Sequence, residues 1–362
     1  MTVTASATRT YEPANLNQQP ERPWAKRTAN FRLVTAIGAI VPIVIAGILY
    51  WYTDVPPLIL VTVIYFPLQL AGAVWAAIVL RGRKAAADAV IIVTAIGFTI
   101  MSLIVLGSIL FTVIARGFEA MSFSFITQNN VYINPSTPLG WGGIGHAILG
   151  TAMLVLIASL ISVPIGVATA VYITEVRGKA VPYVRFFVQA MSGVPSVVAG
   201  LFILVVMILN GVLTQSALAG ALALSILMLP TVARTAEEVL KLVPEDLRTG
   251  ALALGSTRAR VVLKVVLPAA RTGIITATIL GIARIVGETA PLLLTALNNS
   301  QTVINPVNDP IAALPTYIFG YVAQPFPASV TRAWGAALAL LILVGILFAL
   351  ARALGAKKFA KK

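Results

Sequence analysis

Long apolar stretches alternate with short polar ones along nearly the whole chain. Eight of them, at 33–53, 58–80, 89–115, 146–172, 186–209, 213–233, 273–297 and 332–353, can each form a helix able to cross a membrane. Such a helix needs roughly 20 residues at about 1.5 Å per residue. The pattern predicts an all-α, polytopic transmembrane helix bundle. Residues 1–32 are polar and read as a disordered tail, and residues 354–362 form a basic end, "LGAKKFAKK". The run after the tail is too long for the apolar core of a signal peptide, so it reads as a true span.

Composition agrees with the pattern. Hydrophobic residues make up 59% of the 362 and charged residues 10%, too little polar surface for a globule of this size in water. Cysteine is absent and there is one histidine, which excludes disulfides and thiolate ligands and argues against a protein-borne metal site. His146, at the start of its span, reads as an interfacial residue.

The formal charge of +14 changes the picture only through its placement. With the N-terminus inside, 23 of the 26 Lys and Arg residues fall in inside segments or at the inner end of the last span. Arg116 and Arg332 sit at outer boundaries, and Arg284 lies within a span. This bias matches the positive-inside rule and makes both termini cytoplasmic. The charge therefore points to anionic membrane lipids as its partner and not to nucleic acid.

Two outside loops, 116–145 and 298–331, are rich in Asn, Pro, Ser, Thr and aromatic residues. They either pack over the outer helix ends or offer a docking surface to a soluble partner. The long inside segment, 234–272, has more internal order. Pro244 can open a helix with Glu245 and Asp246 in its first turn, where the helix dipole favours anions. Gly255 interrupts that helix, a second amphipathic piece follows from Ser256, and Pro268 ends it. Two short helices joined at a glycine suit a lever that fits a groove on a partner.

At these residues the chain resembles a known family. Ala251, Gly255, Val265, Leu267 and Pro268 have the spacing of the Glu-Ala-Ala-x3-Gly-x9-Ile-x-Leu-Pro loop of ABC importer permeases. The resemblance implies a type I, MetI-like core and a loop that docks on a separate ATP-hydrolysing subunit. Thr249 and Gly250 stand at the first two motif positions, so the motif's Glu is missing.

The segment "RIVGETAPLL" places Arg284 and Glu288 in one apolar run, with Pro291 beyond them. An Arg near the middle of a span costs about 2.5–3.5 kcal/mol on insertion scales, so it should face the bundle interior or water and carry a partner. On a continuous helix, spacing i, i+4 puts Glu288 on the face of Arg284. The pair reads either as a structural ion pair between helices or as a site for an oxyanion, whose planar recognition a guanidinium serves better than an ammonium. Pro164, Pro195, Pro230 and Pro291 are compatible with bent helices that rock, and Gly193 and Gly200 with close helix contact.

"RIVGETAPLL" and "MSGVPSVVAGLF" are similar to segments of the phosphate-specific importer, in its PstA-type permease subunit, over roughly residues 89–353. That resemblance implies six core helices and a phosphate pathway carried by Arg284, Glu288, Thr289 and Arg234. It also implies a second homologous permease subunit, two ATP-binding subunits, an extracytoplasmic phosphate-binding protein and a bacterial inner-membrane location. The extra transmembrane hairpin 33–80 lies outside the six-helix pattern. On this reading Glu288 neutralises Arg284 until phosphate competes for it. The chain has no phosphate-cradling Gly-x-x-x-x-Gly-Lys-[Ser/Thr] and is expected to hold no cofactor and hydrolyse no ATP itself. An ion-coupled secondary transporter, an importer of another oxyanion or a membrane scaffold would use the same pair differently.

Overall fold

The computed structural model describes residues 29–356 apart from residue 177, and side chains between 31 and 353 apart from residues 58 and 177. Most of the expected tail and the last six residues lie outside the described residues. Every regular element among the described residues is helical.

By packing, the chain divides into a unit ending at Ser108 and a unit beginning at Ile109. In the first unit, α1 (Ala29–Tyr52) and α2 (Leu60–Arg81) form the hairpin, and most of α3 (Ala85–Phe118) belongs with them. The hairpin closes where two glycines meet: a Cβ on Gly72 would lie 2.4 Å from the Gly38 carbonyl oxygen, and one on Gly38 2.8 Å from that of Gly72. Backbone-to-backbone approach of this kind is how membrane helices gain dispersion contact when water supplies no driving force between them.

The second unit holds the remaining elements. A short helix, α4 (Phe123–Thr127), precedes α5 (Gly145–Val176), which closes with a π-helical turn. Next come α6 (Val181–Ser192), α7 (Ser196–Ile208), α8 (Ala217–Lys241), α9 (Glu245–Ala253), α10 (Arg258–Ala269), α11 (Arg271–Val286) and α12 (Ala290–Thr295). The chain ends with α13 (Leu314–Val322) and α14 (Pro327–Ala356). Across both units, among the described residues, six helices are long and apolar enough to cross a membrane, or up to eight spans if each bent pair counts as one.

The centre of this unit is α8, whose first half is almost entirely buried. Small residues let it lie close against α5: Ser162 donates to the Ser225 carbonyl at 3.3 Å, and a Cβ on Gly166 would touch Val232 at 3.0 Å. On its other side α11 runs antiparallel, with Gly281 against Met228 and Val232 and Gly273 against Val239. Leu154, Ala158, Leu224, Met228, Val232, Ile285 and Leu292 fill the core between these helices.

Two of the expected spans are not single helices. The run 186–209 turns by 102° between α6 and α7, where Gly193 to Pro195 interrupt the hydrogen-bond ladder. The run 273–297 breaks at Gly287–Thr289, and Pro291 lies in the first turn of α12, where its missing N–H costs nothing. Pro164 and Pro230, by contrast, sit inside continuous helices. The expectation of close contact is met at Gly200, whose Cβ would lie 2.6 Å from Pro291 Cα; Gly193 makes no such approach, its nearest neighbour being the Ala190 carbonyl oxygen of its own turn at 3.5 Å.

The loops 116–145 and 298–331 form a packed cap. Residues 311–314 are buried, the Leu314 N–H donates to Thr151 Oγ1 at 2.8 Å, and the Asn130 N–H donates to the Ser300 carbonyl. Arg332 is completely buried at the start of α14 and donates to the carbonyls of Thr137, Pro138 and Trp141 at 2.8–2.9 Å. His146, at the start of α5, is 3% exposed and meets Tyr317 edge-on, so it packs inside the cap.

Candidate substrate pathway and coupling surface

Arg284 stands in the last turn of α11, and its side chain is exposed on the single chain. The helix ends two residues later, so Arg284 and Glu288 do not share a helical face. Glu288 and Thr289 lie in the break, both half-buried. Among the described residues no ion pair or hydrogen bond joins Arg284 to Glu288. The expected i, i+4 pair is thereby corrected: the Gly287 turn, with φ −98° and ψ 3°, takes the backbone out of helical register between them. An exposed guanidinium at the end of an apolar helix carries its charge toward whatever fills that side of the chain.

Arg234 lies in α8, two turns before its end and not at a helix terminus. Helix α8 is otherwise a buried element, and its exposed residues are Arg234, Glu238 and Lys241, a single polar stripe at helical spacing. The glycine contacts set the relative height of the two arginines. Gly281 is level with Val232, so Arg284 lies about 4.5 Å to one side of that level and Arg234 about 3 Å to the other at 1.5 Å per residue. The two guanidinium-bearing positions are thus successive steps along the bundle axis.

Beyond Arg234 the charges interleave. Glu237 is 5% exposed and accepts from Arg185 of α6 at 2.9 Å, while Lys241 lies 3.0 Å from Glu237 and 2.8 Å from Glu238. The Glu237–Lys241 contact is readable as an i, i+4 pair; the Arg185 contact joins residues 52 positions apart and is not.

The segment after α8 forms the elbow that its prolines and glycine predict. Pro244 precedes α9, and Gly255 takes φ +80°, a left-handed conformation that glycine adopts without steric cost. Thr257 then caps α10 by accepting from the Arg260 N–H at 3.4 Å. Ala251, Val265 and Leu267 pack toward Ala236, Leu240, Val261 and Val266, while Pro268 is exposed. Leu254, next to the glycine, is 89% exposed, and Leu247, Leu252 and Leu263 are exposed as well. The elbow therefore presents an apolar tip on a base fixed to α8.

Residues 162–359, more than half of the chain, match the family described as "Binding-protein-dependent transport system inner membrane component". The chain belongs to that family. It is 39% identical over 247 residues to the phosphate transport system permease protein PstA of Mycobacterium leprae, covering 68% of this chain and 81% of the relative. It is 37% identical to the PstA of Yersinia pestis, over 69% of this chain and 83% of the relative. The PstA of Haemophilus influenzae is 38% identical, with 65% and 82% covered. A solved structure of the MetNI methionine ABC transporter in an inward-facing conformation aligns with a TM-score of 0.44 at 21% identity, over 59% of this chain and 91% of that one.

In this member of the transport-system family, Thr249 stands where the motif's Glu would be, and its hydroxyl donates only to the carbonyls of Glu245 and Asp246 within its own helix. The preceding residue, Arg248, carries most of the contacts, and sequence reasoning missed it. Its partner Glu175 is 73 residues away, so no local signal identifies the pair. Arg332 was likewise legible only as a boundary charge, because its partners are backbone carbonyls that leave no trace in side-chain identity.

Proposed function

We propose that the chain is the transmembrane permease subunit of an ATP-driven inorganic phosphate importer, and that Arg284 and Arg234 are successive stations of the anion. The observation that carries this reading is the placement of Arg284, a permanent cation left exposed at the broken end of an apolar helix. Such a charge is retained where it meets water or a partner and not lipid. A doubly charged oxyanion suits the planar donor fork of arginine. Two stations one behind the other hold it weakly enough to pass it on. Glu288 and Thr289, in the break beside Arg284, complete the first station as polar neighbours and not as its ion pair.

The exposed side of Arg284 is closed by a second, related permease subunit, so that the pathway runs between two chains. The apolar tip at Leu254 and Gly255 docks on ATP-binding subunits, which supply the energy. The outer cap, with Tyr132 and Trp141 exposed on it, faces the phosphate-binding protein. This arrangement puts both termini in the cytoplasm of a bacterial inner membrane, in accord with the distribution of Lys and Arg. The test is phosphate uptake by proteoliposomes holding the complete importer. Arg284→Gln should lower uptake by about a hundredfold while the subunits still purify together. Uptake within a factor of about two of wild type would refute the assignment.

A further inference from the structure

One guanidinium ties the coupling elbow to two spans at once. Arg248 lies in the first half of α9, and its side chain is 11% exposed. Its Nε donates to both oxygens of Glu175 at 3.3 Å, and its Nη2 donates to Glu175 Oε1 at 2.9 Å. Nη2 also donates to the Leu240 carbonyl at 2.9 Å, and Nη1 donates to the Val243 carbonyl at 2.6 Å and to Glu245 Oε2 at 3.0 Å. Glu175, itself 10% exposed, belongs to the π-helical turn that ends α5. Leu240 and Val243 belong to the end of α8 and the turn beyond it, where the regular i to i+4 ladder stops. Glu175 holds the Arg248 guanidinium above its ordinary pKa, chiefly through the hydrogen bond, so the charge is permanent.

The geometry points to Arg248 as a positioning residue that makes α5 and α8 move as one body with the elbow. We propose that it transmits displacement of the docked tip to the inner half of α8, and so to Arg234. The proposal rests on the coupling reading of α9 and α10 given above. It needs the planar fork: four acceptor groups, from Glu175, Leu240, Val243 and Glu245, lie around one guanidinium, and a lysine ammonium at the end of a single bond cannot span them. Apolar packing of Val261 and Val266 against Ala236 and Leu240 holds the elbow near α8 without Arg248. Removing the fork should therefore loosen the linkage and leave the elbow in place.

The test uses the complete importer in liposomes and reads phosphate uptake and ATP hydrolysis together. Arg248→Lys keeps the charge and loses the fork; Glu175→Gln loses the charge and keeps an acceptor oxygen; Thr249→Ala is the neighbouring control, whose hydroxyl contacts its own helix alone. Arg248→Lys and Glu175→Gln should each retain the ATP-binding subunits and keep hydrolysis within about twofold of wild type. Phosphate moved per ATP should fall about tenfold or more, as expected when positioning is lost at a distance, with Thr249→Ala unchanged. An unchanged ratio in both variants would overturn the proposal. So would loss of the ATP-binding subunits from both, which would make Arg248 part of the docking surface or of the fold. Failure of the wild-type chain to retain any ATP-binding subunit would instead remove the coupling reading itself.

Discussion

Three arginines in this chain show how environment decides what the same side chain does. Arg332 is completely buried and bonded to three backbone carbonyls, so its work is structural. Replacing it by Met would remove three charge-assisted bonds from buried carbonyls, at a cost of about 3 kcal/mol or more. The expected outcome is cleavage within residues 129–142 by added protease under conditions where wild type is resistant. Arg248 is nearly buried but paired, and it joins elements. Arg284 is exposed and bonded to no described residue, so it is open to the mobile partner proposed for it. Tyr317, in the cap, has its hydroxyl pKa pushed well up by burial, and its ring packs against His146 and Tyr321.

Helices here are joined by glycines that serve two different purposes. Gly200 is a matter of space: its Cβ would lie 2.6 Å from the Pro291 Cα, a backbone atom that cannot swing aside. Gly200→Val should therefore separate α7 from α12 and destabilise the protein by about 1–3 kcal/mol through overpacking, read as a lower midpoint of thermal unfolding in detergent. Gly255 is a matter of conformation: nothing lies within 4 Å of its Cβ position, yet its φ is +80°. Gly255→Ala should cost about 1–2 kcal/mol of left-handed strain, while Gly255→Asn, which tolerates that region better, should keep more of the docking to ATP-binding subunits in a pull-down. The conformational role was legible in the sequence, because a glycine that separates two amphipathic pieces sits where a helix must end in a left-handed residue. The break at Gly287–Thr289 was not, since an apolar run continues through it and hydrophobicity does not report where the backbone leaves helical register. For the same reason the i, i+4 spacing of Arg284 and Glu288 suggested a pair that the turn prevents.

At the scale of the whole molecule, hydropathy and charge placement disclosed the class of protein, the number of apolar runs and the elbow, because each follows from local composition. Contacts between residues far apart in the chain did not show: Glu175 with Arg248, Arg185 with Glu237, and the cap carbonyls with Arg332 all depend on how helices are arranged. Of the proposed pathway, sequence marked the charged positions and left open what surrounds them. The structure adds that Arg284 and Arg234 are exposed at successive heights on one bundle.

Phosphate passage as proposed depends on Arg284 facing an aqueous route in the assembled importer. The chain contains no cysteine, so Arg284→Cys introduces the only thiol of this subunit. The measurement is its rate of reaction with a charged, water-borne thiol reagent in the complete importer, with and without binding protein and ATP. The predicted result is ready modification, at a rate that changes when binding protein and ATP are supplied. A thiol that stays unreactive in every state would place that position in lipid or sealed packing and contradict the proposed route.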